Sequence, residues 1–424
     1  MKAMQILLCL MILTTLITCL VAELFVLNSV SQTISRIDLA TESVNNTFAL
    51  TGLFPNKMAI KDGYIYLTNS GDSNIQVIDI ENGSTTVTIQ LENYSNPYDL
   101  LIHQEYAYVT GMLTDKVYKI DLATNSVVAE LTVGVAPLGL IVYNDLLYVA
   151  NSGYQYPSYL PGELTVIDLE DFSTLTTIPV PLSPYRMIVD NDGFLHLVCS
   201  GNYLDVMGEV VVINTDDQEI VEQIPLNTYA TNIILSPWNR VYIADAFGAG
   251  LLAYDLPDFE IVYDSDDLFS TGGSALAIYE DRLFVADAGD FMSNSIVRIY
   301  DAEENFLNSY QTAMGAVDIA FRPSTTNIAE DVIISPQMFK VYPNPFQAKA
   351  EIKVFSDPYG NDEEFEITIY NLRGQRIRKL VTSSFSISWD GKDGSGKLCA
   401  PGVYLLKFSN KNGVDQTGKI TLIK

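Results

Sequence analysis

From residue 23 to residue 321 the apolar positions fall in short alternating runs broken by Gly, Pro, Asn and Asp. Period-two alternation marks half-buried strands, and no stretch sustains the 3.6-residue apolar period of a helix. The runs repeat as a unit. An aromatic-rich strand ends in a small or polar cluster, at residues 24–29, 65–70, 107–111, 147–152, 195–200, 241–245 and 283–287. A second alternating strand follows and ends at Asp38, Asp79, Asp121, Asp168, Asn214, Asp255 or Asp301, with separations of 41, 42, 47, 46, 41 and 46 residues. A third strand comes next, then a Pro- or Gly-marked turn and a short apolar strand. Seven such units of about four strands predict an all-β chain whose main body, residues 23–322, is a seven-bladed β-propeller.

The phase of the repeat predicts how the ring closes. Repeats two to seven are each preceded by a short apolar strand, such as 98–102 or 138–142, and the first is not. Residues 316–321 have the missing character, so they are expected to supply the innermost strand of the first blade and leave no open edge at the seam. The stretches 148–152, 66–70 and 117–124 resemble YVTN β-propeller repeats, which are related to the NHL and surface-layer propellers. That resemblance covers residues 23–322 and speaks to fold more than to activity.

Residues 323–338 are polar and turn-rich and read as a linker. Five alternating strands separated by turn signals then predict a small immunoglobulin-like β-sandwich over 339–424. Three motifs occur in order: Tyr342, Pro343, Asn344, Pro345 and Phe346; the strand end at Asn371 with its turn glycine Gly374; and the loop of Trp389, Asp390, Gly391, Asp393 and Gly396, leading to Gly402 and Tyr404. Together they resemble the C-terminal sorting domain of type IX secretion cargo and the related FlgD-like immunoglobulin fold. The resemblance implies a secreted or outer-surface location and the secretion machinery as partner. A plain structural module is the competing reading.

The formal charge of −28 is unevenly spread. Residues 339–424 hold 13 Lys+Arg and 9 Asp+Glu, a net of +4, leaving 11 against 43, a net of −32, on the rest. A body that acidic repels phosphate backbones, which argues against nucleic-acid binding. Residues 1–22 carry one Lys before an apolar run that ends in a small residue, the layout of a signal peptide cleaved between Ala22 and Glu23. A lipoprotein cut before Cys19 is the alternative. The run is short for a bilayer span, so no transmembrane segment is expected in the mature chain. Cys199 and Cys399 fall in different expected domains and no CxxC pair exists, so neither a disulfide between them nor a thiolate zinc site is expected.

Candidate chemistry is sparse. His103 and His196 are the only histidines, and no nucleophile elbow, zinc motif or phosphate loop is present. The chain is therefore read as a non-enzyme without a cofactor. The acidic loops 69–74, 286–290 and 390–393 offer oxygen ligands for Ca²⁺, but their residues suit tight turns better. Two insertions stand out: 153–162 with Tyr154, Tyr156 and Tyr159, and 201–208 with Tyr203. Tyr gives amphipathic contact area at low entropic cost, so these adjacent loops are the expected surface for a protein or glycan ligand. Two other readings stand beside this one. They are a lactonase-like propeller hydrolase or lyase working through carboxylates or a metal in the central channel, and a structural surface-layer component.

Overall fold

The computed structural model describes residues 23–156, 158–322, 339–342, 346–354, 365–371, 375–382, 386–409 and 415–423. Among the described residues there is no helix. Two compact units divide between residues 329 and 330.

The first unit consists of seven four-stranded antiparallel sheets. In the second, Pro55–Lys61 is innermost, followed outward by Tyr64–Asn69, Asn74–Asp79 and Thr85–Gln90. The innermost strands of the seven sheets neighbour one another in a closed ring. This is the seven-bladed propeller that the spacing predicts.

The first blade is composite, as the phase of the repeat requires. Ala316–Phe321 is its innermost strand and pairs antiparallel with Glu23–Asn28, placing Val26 opposite Ile319. The Arg322 amide donates to the Glu23 carbonyl at 2.9 Å, and its guanidinium reaches the carboxylates of Glu23, at 2.9 Å, and of Glu81 in the second blade. Both faces of each blade are covered by neighbours, so the second strand of every blade is buried almost throughout, as in Leu146–Asn151. One position in these strands carries a buried ring in all seven blades: Phe25, Tyr66, Tyr108, Tyr148, His196, Tyr242 and Phe284. The outermost strands keep one neighbour and alternate, as in Thr85–Gln90.

Proline opens four of the innermost strands, at Pro55, Pro97, Pro137 and Pro184. It is tolerated there because an innermost strand pairs on one side only. A bulge follows each proline. Bulges leave a backbone N–H outside the ladder and re-aim a side chain. Threonine hydroxyls accept two of the freed amides, Lys57 to Thr68 at 3.1 Å and Asp99 to Thr110 at 3.0 Å.

The acidic residue that ends each third strand closes a turn. Asp38, Asp79 and Asp121 each accept backbone N–H groups two or three residues on. Asp168 and Asn214 do the same, whereas Asp255 instead pairs with Arg240 at 2.7 Å. Asx turns of this kind explain the periodic acid without any ligand.

The second unit is two sheets, one of Phe339–Tyr342, Ala350–Val354 and Ser386–Trp389, the other ordered Arg376–Thr382, Phe365–Asn371, Gly402–Ser409 and Asp415–Leu422. Inward residues of both sheets form one core around Ile352, Ile367, Ile369, Trp389, Leu406 and Phe408.

Candidate recognition surface and sorting domain

Strand order fixes what each end of the propeller presents. Running outward through antiparallel strands, the connections between second and third strands, and between one blade and the next, emerge on one face. The two hairpin turns within each blade emerge on the other. The turn face carries carboxylates, among them Asp62, Glu105, Asp171, Asp217, Asp281 and Glu303. The loop face carries carboxylates such as Asp205 and Asp290 and, beside them, exposed apolar tips including Phe54, Tyr94, Leu113, Tyr156, Phe247 and Met292.

Bulges in six of the seven innermost strands aim one residue of each at the axis. Asp318, Lys57, Asp99, Arg186 and Asn232 line a cavity of about 210 Å³ there. These groups engage one another. Lys57 pairs with Asp318 at 2.8 Å, and one guanidinium nitrogen of Arg186 lies 3.0 Å from both Asp99 oxygens. The carboxylates also take amides of the next blade: Met58 donates to Asp318 at 2.9 Å and Leu140 to Asp99 at 3.0 Å. Arg186 reaches Asp99 across the blade between them, whose residue at this position is Gly139. A Cβ on Gly139 would lie 2.0 Å from the Tyr185 carbonyl oxygen. Burial opposes the Arg186 charge, but Asp99 overcomes it and the guanidinium pKa is raised. Above this ring the hydroxyls of Tyr98 and Tyr185 bond to each other. Asp99→Ala leaves Arg186 with an uncompensated charge in the axis. Urea melts should show a loss of about 3–5 kcal/mol.

His196 occupies the aromatic position of the fifth blade and is fully buried. Its Nδ1 lies 2.6 Å from the Tyr254 hydroxyl of the sixth blade, and its Nε2 lies 3.3 Å from Asp190 Oδ2. A neutral ring satisfies both, donating to the carboxylate and accepting from the phenol. Burial pushes the Asp190 carboxyl up, but the bonds from His196 and the Phe194 amide more than offset this and hold it below the ordinary value. Its contribution is therefore complete above the unfolded carboxyl range, near pH 4, and is lost as pH falls through the lowered folded pKa. His196→Phe keeps the ring and removes both bonds. It should cost about 1–3 kcal/mol at pH 7 by chemical denaturation, with a smaller dependence on acid below pH 4. His103 lies 3.8 Å from Asp145 on the turn face.

The four loop tyrosines belong to the fourth and fifth blades. Tyr154–Gln155 and Ser158–Tyr159 form a two-stranded ribbon, with the Tyr154 and Tyr159 rings 5.2 Å apart and Tyr156 84% exposed. Tyr203 does not stack on that ribbon. It stacks on Tyr229 at 5.0 Å, with Phe247 edge-on to both at 6.3 and 5.9 Å. Burial raises the Tyr203 hydroxyl pKa, and neighbouring Tyr185 and Tyr159 add to it. Tyr229 and Phe247 are missing from the sequence-based set. Their one signal is an aromatic residue in each of two short loops of the sixth repeat.

The acidic loops are occupied by their own turns. Asp72 accepts Leu53 N–H, Asp290 accepts Met292 and Ser293 N–H, and Asp287 pairs with Arg298 at 2.9 Å. Among the described residues no group of three or more His, Cys, Asp or Glu is placed to hold a metal ion.

In the second unit, motifs far apart in sequence meet in one core. Phe346 lies 5.4 Å from Trp389, and Tyr404 lies 5.1 Å from it. The Trp389 indole donates to the Lys392 carbonyl at 2.8 Å, and Tyr404 donates to the Ala400 carbonyl at 2.6 Å. Gly391 and Gly396 have φ of 69° and 85°, the left-handed region that the loop requires. Asp390 pairs with Arg378 at 2.7 Å, and Asp393 accepts the Ser395 and Lys397 amides. Asn371 closes its turn onto Gln375, and Gly402 opens the strand that pairs with Asp415–Leu422. Tyr342 ends the strand entering the unit. Pro343, Asn344, Pro345 and Gly374 lie outside the described residues, as do the leader with Ala22 and Cys19, and the linker 323–338.

Comparison with known proteins supports both units separately. No curated protein matches the chain. The chain is similar in structure to hydrazine synthase of Kuenenia stuttgartiensis, with a TM-score of 0.55, 14% identity, and 69% of this chain and 93% of the other covered. It is also similar to apo AztD of Citrobacter koseri, with a TM-score of 0.46, 12% identity, and 73% and 99% covered. At such identities the likeness to hydrazine synthase shows the fold alone. Residues 340–424 match the secretion system C-terminal sorting domain. The second unit is therefore a type IX sorting domain, and the chain is a secreted protein directed to the cell surface.

Proposed function

We propose that the propeller is a non-enzymatic recognition module of the YVTN type, displayed at the surface by its sorting domain. Cleavage after Ala22 would free Glu23 to begin the first blade. The observation that carries this reading is the contrast between the two faces. On the turn face Asp38, Asp79, Asp121, Asp171 and Asp217 close their own turns, and Glu81 pairs with Arg322. The loop face instead exposes aromatic side chains that no part of the propeller covers, concentrated on blades four to six. Aromatic groups left in water at that density mark a contact surface. The axial charges support a binding role over catalysis, because Lys57, Asp99, Arg186 and Asp318 are engaged in bracing the innermost strands.

Replacing Tyr154, Tyr156 and Tyr159 together by Ala should weaken attachment of the purified protein to its native cell surface at least ten-fold. The same variant should melt within a few degrees of the parent, since the ribbon lies outside the blade cores. Unchanged attachment would refute the assignment of this surface.

A further inference from the structure

Tyr98, Tyr185, Tyr203, Tyr229 and Phe247 form a lane across the loop face. It begins at the mouth of the axial channel with the bonded Tyr98–Tyr185 pair, 6.0 Å between ring centroids. Tyr203 follows on the same blade as Tyr185, in the loop between that blade's second and third strands. Tyr229 and Phe247 continue the lane on the sixth blade, with the Tyr154–Tyr159 ribbon at its flank.

We propose that this lane binds a neutral polysaccharide chain, a proposal that rests on the recognition reading above and names its ligand. A sugar ring has an apolar C–H face that stacks on an aromatic ring and hydroxyl edges that need hydrogen-bond partners. The lane offers both. Tyr203 and Phe247 keep ring surface exposed beside Tyr229, and the hydroxyls of Tyr154, Tyr159 and Tyr229 make no hydrogen bond to another described residue. A dry protein interface would strand those hydroxyls, whereas a hydrated glycan satisfies them directly or through water.

Charge selects the class of glycan. The propeller has ten cations in the sequence from residue 23 to 322. Lys116 and Arg298, with Lys57 and Arg186 at the channel mouth, are those near the loop face, and all are held by carboxylates: Glu92 and Glu130, Asp287, Asp318 and Asp99 respectively. Asp205 and Asp245 border Tyr203 and Phe247, so a polyuronate or sulfated chain meets like charge and no free cation.

The test is affinity electrophoresis of the full exported chain through native gels containing galactomannan, xyloglucan or mixed-linkage glucan, with alginate and polygalacturonate gels beside them. Retardation by at least one neutral polymer and by neither polyuronate is expected. Tyr203→Ala should lower the apparent affinity at least ten-fold. Tyr203→Phe, which keeps the stack on Tyr229, should retain most of it. Leu113→Ser and Met292→Ser, on the same face but away from the lane, should change nothing. Retardation by polyuronates alone, or by neutral chains regardless of Tyr203→Ala, overturns the proposal. If no neutral polymer retards the protein while Tyr203→Ala still detaches it from native cells, the glycan assignment falls and the recognition reading stands. If Tyr203→Ala alters neither, the glycan assignment falls, and the recognition reading falls with it when the triple variant of Tyr154, Tyr156 and Tyr159 also attaches unchanged.

Discussion

A chain ending at Gly315 is expected to lose the cooperative melting transition that a chain ending at Arg322 keeps. The difference is one strand, Ala316–Phe321, but that strand completes the first blade from the far end of the sequence. Its removal uncovers Leu24, Phe25, Val26 and Leu27, which are wholly buried in the intact ring. It leaves the amides and carbonyls of Glu23–Asn28 unpaired on one side. It also removes Asp318, and with it the partner of Lys57 and the acceptor for Met58 N–H. Some five ladder bonds at about 1 kcal/mol each, with several apolar side chains at about 1.5–3 kcal/mol each, come to about 10 kcal/mol. Whole domains are stable by about 5–15 kcal/mol, so the open ring should sit near or below its folding threshold. Differential scanning calorimetry on the two truncations checks this. A sharp transition in the shorter chain, within a few degrees of the longer, would contradict the role given to the seam.

Deleting residues 339–424 should have an all-or-none effect of another kind. The propeller has its own core and its own closing strand, so it should fold and melt as before. Without the sorting domain it should stop in the periplasm, with less than about a tenth reaching the surface or medium in fractionation by immunoblot. The sorting domain matches over 340–424, and its core runs from Phe346 through Trp389 and Tyr404 to Leu422. Partial deletions should therefore behave like the full one. Normal surface delivery of the truncated chain would mean that export is directed from elsewhere.

The architecture was legible because each of its devices leaves a local mark. Period-two alternation marks the strands, Asp after the third strand marks the turns, and the missing opening strand marks the seam. The sorting domain was legible because it holds its motifs in a fixed order. Three-dimensional convergence was not. Asp99 and Arg186 are 87 residues apart and meet only because the ring brings blades three and five to one axis. A charged residue just after Pro-Tyr in an otherwise apolar strand is the trace they leave, and it has no local meaning. His196 reads as an ordinary strand residue until all seven second strands are superimposed, when it takes the place that Tyr or Phe fills elsewhere. The sequence sets Tyr203 beside the ribbon tyrosines, but its ring partners are Tyr229 and Phe247 from the next blade. Those two reach it because adjacent blades present equivalent loops side by side, which no single repeat reveals.

Amide exchange across the seam tests the closed ring most directly. Mass-resolved deuterium uptake should show the peptides covering 23–28 and 316–321 equally protected, and opening together with one free energy as denaturant is raised. Uptake by 316–321 at the rate of an unstructured chain, while 23–28 stays protected, would mean that the two ends do not share a blade.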